Sequence, residues 1–335
     1  MTERRFFILP LTEPFRIWYK LILTEFVILL FCKTQTEQNQ LWRCKVSYEI
    51  VVLAKQVPDT HNITGQAMKE DGTVNRAALP AIFNPEDLNA LEEALKIKET
   101  HGGKITVITM GPPNAAQLLR DSLFRGADEV ILVTDRAFAG ADTLATSYAL
   151  SMAVKKSGKF DIILCGRQAI DGDTAQVGPQ TAEKLKIDQI SCVNKILELK
   201  NDTITAERSI EGGYEIVKTK LPALLTVTGE ANEPRPPSAK KTLAYKHAMT
   251  TIEMENLDET YICANGICER HAVITVWSAQ DIGADPQLCG LAGSPTKVKE
   301  IESVVLGAHE AKKIEGTKEG ITDLVKELIA EHIIG

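Results

Sequence analysis

The sequence predicts an α/β fold with a doubly wound parallel sheet, and three observations support that prediction. Between Tyr48 and Cys165, short apolar runs alternate with segments of helical periodicity. The apolar runs are continuous, as expected for strands that are covered on both faces. The helical segments are bounded by capping residues and glycines. Together these features are typical of βαβ units with helices on both sides of a sheet.

Composition limits the class of protein. The chain has 335 residues, which is enough for one large or two modest domains with a sizeable core. Its content of 44% hydrophobic and 25% charged residues is ordinary for a globular protein. A net charge of −7 and an aromatic content of 5% argue against a nucleic-acid partner, because such partners need a basic surface or a stacking platform.

Neither a metal site nor a catalytic side chain is predicted. The seven cysteines contain no CxxC pair, and no histidine cluster joins them with the spacing of zinc ligands. We therefore expect reduced thiols in a cytoplasmic protein. The sequence also lacks GxSxG, HExxH and any Cys–His pair that spacing alone would reveal.

Residues 1–45 differ from the rest of the chain. They begin with basic residues and contain one apolar run, 21–32, which Glu25 interrupts. The run is shorter than the ~20 residues of a membrane span, and no small-residue cleavage site follows it. We expect a non-native or disordered extension, with the natural start between Val46 and Ile50. A membrane anchor is the weaker alternative.

The first βαβ unit begins with a strand over residues 48–54, which leads into a polar loop. A helix is then predicted from Asn84, a good N-cap residue, with Pro85 at its first position and acidic residues in its first turn. Leucines three and four residues apart mark its buried face, and residues 101–103 end it.

Further strands are predicted over residues 104–109, 129–133 and 160–165. A helix that ends at Gly126 and a helix that begins at Asp142 connect them. In a parallel sheet of this kind, ligands bind beyond the carboxyl ends of the strands, at a topological switch point. The ends concerned are Ala54, Met110–Gly111 and Gly166.

After residue 186 the periodicity of the sequence changes. Residues 203–210 and 214–220 predict a β-hairpin, and residues 223–228 predict one more apolar strand. The proline- and lysine-rich residues 234–246 predict an exposed basic loop, which is either a linker or a docking surface. Beyond it we expect a short strand within 273–286 and a terminal amphipathic helix that docks on its own domain or on another chain.

Residues 160–186 contain the best candidate site. A strand, the loop GRQAIDGDTAQVG and a helix from Thr174 follow one another, and Asp173 with Gln176 fits a capping box. The free N–H groups of a first helical turn attract phosphate, and glycines at 166, 172 and 178 leave room for a pyrophosphate. The loop matches neither GxGxxG nor Walker A, so an ordinary βα turn is an equal alternative from these residues alone.

Three motifs give the sequence a resemblance to a known family. They are the loop at 166–178, the stretch AERSIEGGYEIVKTKLPALLT at 206–226, and NEPR at 232–235. From Tyr48 to the C-terminus the chain resembles the β subunit of electron transfer flavoproteins. The resemblance implies a Rossmann-like domain similar to adenine-nucleotide hydrolases, which agrees with the fold predicted from the residues.

The resemblance also implies a cofactor and its contacts. In this family the α subunit carries FAD, and the β subunit carries AMP in plain carriers or a second FAD in electron-bifurcating members. The implied adenine-side contacts are Ala54, Asn84, Pro85, Glu86, Asp87 and Met110. The implied phosphate contacts are Gly166, Arg167, Gln168, Ala169, Ile170, Asp171, Gly172, Asp173, Thr174, Ala175, Gln176 and Val177.

The form of the motifs refines these expectations. DGDTAQVGP together with GEANEPR is more similar to the anaerobic, bifurcating group than to the mitochondrial one, which favours FAD over AMP. The family's dehydrogenase-recognition loop falls on residues 234–246. There Ala239 stands where mitochondrial members have a projecting leucine, so we expect a weaker anchor or one at another position.

The resulting hypothesis is an electron-carrier subunit rather than a stand-alone enzyme. It would pair with an electron transfer flavoprotein α subunit and pass electrons between NADH or an acyl-CoA dehydrogenase and that subunit's FAD, with bifurcation to ferredoxin in the extended form. The alternatives are a subunit with structural AMP and, less favoured, an ATP-using enzyme. The expected organisation is a nucleotide-binding domain at 46–265 and a C-terminal arm at 266–335 that contacts the partner.

Overall fold

The computed structural model describes residues 47–59, 80–255, 273–296 and 313–330. The predicted extension at 1–45 lies outside these ranges, as does most of the polar loop after the first strand. The chain divides into two compact units. Of the described residues, 313–330 belong to the second unit and all others to the first.

The first unit contains two sheets. Its strands are, in chain order, β1 (Tyr48–Leu53), β2 (Gln56–Pro58), β3 (Ala81–Phe83), β4 (Gly103–Met110), β5 (Glu129–Val133), β6 (Ile162–Gly166), β7 (Asp188–Lys200), β8 (Thr203–Ile210), β9 (Gly213–Lys220), β10 (Ala223–Val227) and β11 (Ile274–Trp277). The helices are α1 (Pro85–His101), α2 (Ala116–Arg125), α3 (Thr143–Ser157), α4 (Val177–Leu185), α5 (Ala239–Tyr245) and α6 (Thr251–Glu255).

The main sheet has nine strands in the order β11-β5-β4-β1-β6-β10-β7-β8-β9. The pairings from β11 to β7 are parallel, and those of β8 with β7 and with β9 are antiparallel. Strand order reverses at β1, which pairs with β4 on one side and β6 on the other. The sheet therefore has its switch point between β1 and β6.

Both faces of the sheet are covered. On one face Ile50 and Val107 belong to a core packed by α1 and α2, and on the other Leu53 and Ile163 belong to a core packed by α3 and α4. Continuous burial of β1 and β6 follows from this arrangement. The predicted doubly wound, Rossmann-like α/β fold is confirmed.

Most predicted strands and helices are confirmed to within two residues, but one strand of the main sheet and the whole of the small second sheet were missed. The 13-residue strand β7 was not predicted, although it pairs with β10 and β8. The short antiparallel pair β2–β3 was also missed. Strand β11 joins the sheet through β5, so the sheet extends into the range that we predicted as an arm. The arm and its contact with a partner stay predictions.

Two local predictions were wrong. The helix after the central loop begins at Val177 and not at Thr174, and no side chain caps it. The reason is backbone conformation, because Asp173 and Ala175 have φ angles of 48° and 52°, which no right-handed helix contains. The predicted basic loop contains a helix, α5, whose first residue is Ala239.

The second unit has one described element, the helix α7 (Lys318–Ala330). It confirms the predicted terminal helix. Among the described residues, no helix combines the length and apolarity that crossing a membrane requires.

Candidate functional site

A cavity of about 420 Å³ lies at the carboxyl edge of the sheet, beside the switch point. That volume is within the usual range for small-molecule sites. Its walls come from the end of β1, the first turn of α1, the end of β4, the segment that leads into α3, and most of the connection from β6 to α4. The lining residues are Leu53–Lys55, Asp87, Met110, Phe138, Gly140–Thr143, Thr146, Leu150, Cys165–Ala169 and Gly172–Gly178.

Asp87, in the first turn of α1, joins the ends of two strands. Its Oδ1 accepts a hydrogen bond from the Gly166 N–H at 2.7 Å, and its Oδ2 accepts one from the Lys55 N–H at 2.8 Å. The side chain is buried. Burial raises the pKa of Asp87 to about 7, while the two backbone N–H groups act in the opposite direction.

Two neighbours of Asp87 bind the same loop. Glu86 accepts from the Gln168 N–H at 2.8 Å, and Asn84 accepts from the Ile170 N–H at 3.2 Å while donating to the Gln168 carbonyl at 2.9 Å. Asn84 does occupy the N-cap position of α1, but its side chain caps nothing there. We call residues 84–87 the closed helix start, because three of its side chains accept hydrogen bonds from every second N–H group of the loop, at residues 166, 168 and 170.

The first turn of α4 is arranged differently. The left-handed residues Asp173 and Ala175 twist the chain just before the helix, and such alternation forms a concave row of N–H groups that suits an anion. In the described part of the chain, no hydrogen bond uses the N–H groups of Thr174, Ala175 or Gln176. Those of Val177 and Gly178 have no intrahelical acceptor, as in any first turn. We call residues 174–178 the open helix start.

The charged groups around the loop are paired. Lys55 Nζ lies 2.7 Å from an Asp171 carboxylate oxygen, and an Arg167 guanidinium nitrogen lies 2.8 Å from Glu86. Asp173 accepts a hydrogen bond from the Gln168 side chain at 3.0 Å. Lys55 and Arg167 are the two cations that line the cavity, and both are partly exposed. The lining therefore holds two cations, each paired with a carboxylate, together with the carboxyl groups of Asp87, Asp142 and Asp173.

The third wall was not predicted from the sequence. Asp142 caps α3 by accepting hydrogen bonds from the Leu144 and Ala145 N–H groups at 2.9 and 3.0 Å. Thr143 donates to the Gln176 side chain at 2.8 Å, which joins the start of α3 to the open helix start. A usable signal existed, because the helix predicted to begin at Asp142 follows a strand that ends at the same edge of the sheet.

The structure brings most of the predicted site residues together. Thirteen line the cavity, namely Ala54, Asp87, Met110, Gly166, Arg167, Gln168, Ala169, Gly172, Asp173, Thr174, Ala175, Gln176 and Val177. Five do not line it, namely Asn84, Pro85, Glu86, Ile170 and Asp171. The lining residues that were not among the predicted cofactor contacts are Leu53, Lys55, Phe138, Gly140, Ala141, Asp142, Thr143, Thr146, Leu150, Cys165 and Gly178, of which Gly178 was expected only to leave room for a pyrophosphate.

Two of the three glycines in the loop serve a different purpose from the one expected. A Cβ on Gly166 would lie 2.6 Å from Asp87 Oδ1, and one on Gly178 would lie 2.7 Å from Thr226 Cγ2. These two glycines therefore let the protein pack against itself. Gly172 alone of the three has open space around it, with no atom within 4 Å of its ideal Cβ.

The NEPR motif lies away from the cavity and fastens the chain to α1. Arg235 Nε is 2.9 Å from Glu92, and the same guanidinium pairs with Glu99. Asn232 donates to the Asn89 carbonyl at 3.0 Å and accepts from the Asn89 side chain. In the described ranges no group of three His, Cys, Asp or Glu side chains is placed to hold a metal ion.

Fold and cavity define a Rossmann-like α/β protein whose candidate ligand site lies at the switch point of a parallel sheet. The family model for the electron transfer flavoprotein domain matches residues 71–253. The chain is 45% identical over 287 residues to the electron transfer flavoprotein subunit beta of Thermoanaerobacterium thermosaccharolyticum, which covers 85% of this chain and 99% of the relative. The subunit beta of Clostridium acetobutylicum is 44% identical over 285 residues, with the same coverage.

A third relative is the caffeyl-CoA reductase-Etf complex subunit CarD of Acetobacterium woodii, at 41% identity over 288 residues, again covering 85% of this chain and 99% of the relative. The chain belongs to the electron transfer flavoprotein family and is of the beta-subunit type. The resemblance in the three sequence motifs is thereby confirmed.

Proposed function

We propose that this chain binds an adenine nucleotide in the switch-point cavity, FAD in preference to AMP. In this proposal it forms a cytoplasmic heterodimer with an electron transfer flavoprotein alpha subunit. It passes electrons between NADH or an acyl-CoA dehydrogenase and the alpha subunit's FAD, with bifurcation to ferredoxin as the extended form. The observation that carries the proposal is the open helix start, whose residues line a cavity that two cations also line and whose N–H groups are unused.

The residues present fit the phosphate part of such a ligand. Backbone N–H groups at a helix start, the positive end of its dipole and two nearby cations are the usual elements of a phosphate site. The strand ends at Ala54 and Met110 form the opposite wall, where an adenine would meet small and apolar side chains. FAD, when bound, supplies the electron-carrying chemistry, and the chain holds the group and sets its surroundings through hydrogen bonds and burial.

The preference for FAD rests on the form of the motifs. DGDTAQVGP and GEANEPR are more similar to the bifurcating group of the family than to the plain carriers. The alternative is a subunit with structural AMP, because the single phosphate of AMP would use the same helix start.

A dehydrogenase partner is supported by one relative and by one surface. CarD is named as a subunit of a caffeyl-CoA reductase–Etf complex, which supports a partner that acts on a CoA thioester. On this chain, α5 presents Leu243 with 70% of its surface exposed, next to Lys240 and Lys241. We assign the hydrophobic anchor of the recognition loop to Leu243, since Ala239 cannot supply it.

Cofactor counting tests the proposal. The heterodimer would be purified, denatured and analysed for FAD and AMP by absorbance and chromatography. We expect two FAD and no AMP per heterodimer. One FAD with one AMP would contradict the preference for FAD, and one FAD with no second nucleotide would contradict binding in this cavity.

A pair of variants locates the second nucleotide. Gly172 lines the cavity and has no atom within 4 Å of its ideal Cβ, so the large side chain of Gly172→Trp should fit the fold, remove one nucleotide and leave the other. Gly229→Trp makes the same change at an exposed glycine that does not line the cavity and also has no neighbour within 4 Å. Both nucleotides should remain in that control.

A further inference from the structure

We propose that residues 289–296, which we call the clasp segment, hold one wall of the nucleotide cavity in its binding position. The inference rests on the proposed function, because it concerns the site that the proposed nucleotide would use. It assigns a positioning role to Ser294 and Leu291, which lie more than a hundred residues from the wall that they contact and do not line the cavity.

Hydrogen bonds join the clasp segment to the wall at three places. The Asp142 N–H donates to Ser294 Oγ at 2.8 Å, and the Thr296 N–H donates to Asp142 Oδ2 at 3.1 Å. The Leu291 N–H donates to the Ala139 carbonyl at 3.2 Å. Ser294 is buried, and its hydroxyl donates to the Gly290 carbonyl at 2.6 Å. Both the donor and the acceptor capacity of this hydroxyl are therefore used.

Close packing adds to these bonds. A Cβ on Gly290 would lie 2.3 Å from the Ala137 carbonyl oxygen, so the clasp backbone runs directly against the wall. Gly290 also has a φ of 51°, a conformation that favours glycine. Leu291 covers Gly140, since a Cβ on Gly140 would lie 2.7 Å from its Cγ.

The clasped residues are those that shape the cavity. Gly140, Ala141 and Asp142 line it, and the next residue, Thr143, donates to Gln176 in the open helix start. Asp142 uses one carboxylate oxygen to cap α3 and the other to bind the clasp. The clasp therefore acts on the nucleotide through the position of the wall and the start of α3.

Thermodynamic linkage gives the inference a second consequence. If the clasped wall binds nucleotide more tightly than the released wall, bound nucleotide must favour the clasped state by the same factor. Nucleotide should then slow amide hydrogen exchange in residues 289–296. A role confined to stability would change the thermal midpoint of the nucleotide-free chain but not this nucleotide-dependent protection.

The test compares Ser294→Ala with Ser278→Ala in the full-length chain, with AMP as the probe in isothermal titration calorimetry. Both hydroxyls accept a backbone N–H, but the donor for Ser278 is Asp281, away from the cavity. Losing one hydrogen bond to the wall should raise the Kd of Ser294→Ala for AMP by about fivefold. Ser278→Ala should stay within about twofold of the unaltered chain.

A second variant keeps the test valid if Ser294→Ala does not fold. Leu291 is 65% exposed, so Leu291→Ala should fold normally and still weaken AMP binding by about twofold to threefold through its lost contact with Gly140. Folded variants with an unchanged Kd and unchanged exchange protection would overturn the clasp while leaving the proposed function intact. An unaltered chain that binds neither AMP nor FAD would overturn both.

Discussion

Two helices begin at the same edge of the sheet, and their first turns differ in what they bind. The closed helix start of α1 directs three side chains to the N–H groups of Gly166, Gln168 and Ile170. The open helix start of α4 leaves its N–H groups unused and faces the cavity. Capping signals were present in the sequence at both starts, and they do not distinguish the two outcomes.

The difference separates the part of the loop that the protein itself holds from the part that the proposed nucleotide would use. Buried polar groups must be satisfied, so the closed start fixes the first half of the loop with the protein's own carboxylates and amide. Only the second half is left for an anion. The residues implied as phosphate contacts therefore form two groups. The N–H groups of Gly166, Gln168 and Ile170 bind side chains of α1 and are not free to bind a phosphate.

Removing Asp87 tests the closed start and should have the largest effect. Asp87→Ala leaves the Gly166 and Lys55 N–H groups without their acceptor in a buried site. We expect a loss of about 3 kcal/mol in the free energy of unfolding, measured by urea denaturation. A loss below about 1 kcal/mol would show that the support does not depend on this carboxylate.

Crowding the open start should have the next largest effect. Gly178→Ala places a methyl group 2.7 Å from Thr226 Cγ2 and 2.9 Å from Cys165 Sγ, which forces α4 away from the sheet. We expect about 2 kcal/mol of destabilisation together with weaker AMP binding in calorimetry. Gly229→Ala, with no neighbour within 4 Å, is the matched control and should change the unfolding free energy by less than about 0.5 kcal/mol.

The pH dependence of the free energy of unfolding tests the ionisation of Asp87 in the closed helix start. The folded pKa of Asp87, about 7, exceeds its ordinary value of 3.8, so the folded state binds the proton more tightly. Stability from this group is therefore greatest at low pH and is lost as pH rises toward 7. We expect a slope near pH 6 of about 1 kcal/mol per pH unit. Asp87→Asn should flatten the slope, and equal slopes in both proteins would contradict the raised pKa.

The smallest effect on stability is expected at Lys55, which faces the cavity from the end of β1. Its pair with Asp171 is half exposed, so Lys55→Met should change stability by less than about 0.5 kcal/mol. Losing a cation from the cavity should weaken AMP binding by about threefold at low salt and by less at high salt. Lys159→Met, which removes a pair with Asp161 at the start of β6, should leave binding unaltered.

Most strands of the main sheet could be predicted from the sequence, because a strand that is buried on both faces consists of a continuous run of apolar residues. The runs at β1, β4, β5, β6 and β10 are continuous and apolar. Strand β7 was missed because its residues are mostly half-buried or exposed and include four charged side chains. Nothing local distinguishes such a strand from a loop until its partners β8 and β10 are known.

The location of the candidate site could be predicted from the sequence, but its detailed geometry could not. Motif resemblance and sheet topology placed the loop at the ligand edge, where the cavity lies. The left-handed backbone at Ala175 has no sequence signal, because alanine rarely adopts it, and so the start of α4 was placed three residues early. The wall at 138–143 and the clasp segment depend on contacts between residues far apart in the chain. The hydrophobic periodicity of the sequence contains no information about such contacts.

The closed helix start also limits how the loop can change during evolution. Its side chains meet every second N–H group of residues 166–170, so one inserted or deleted residue there would shift all later partners out of register. Residues 171–176 carry no such constraint from α1. An alignment of relatives should therefore show constant length from Gly166 to Ile170, with any length variation confined to the residues that follow.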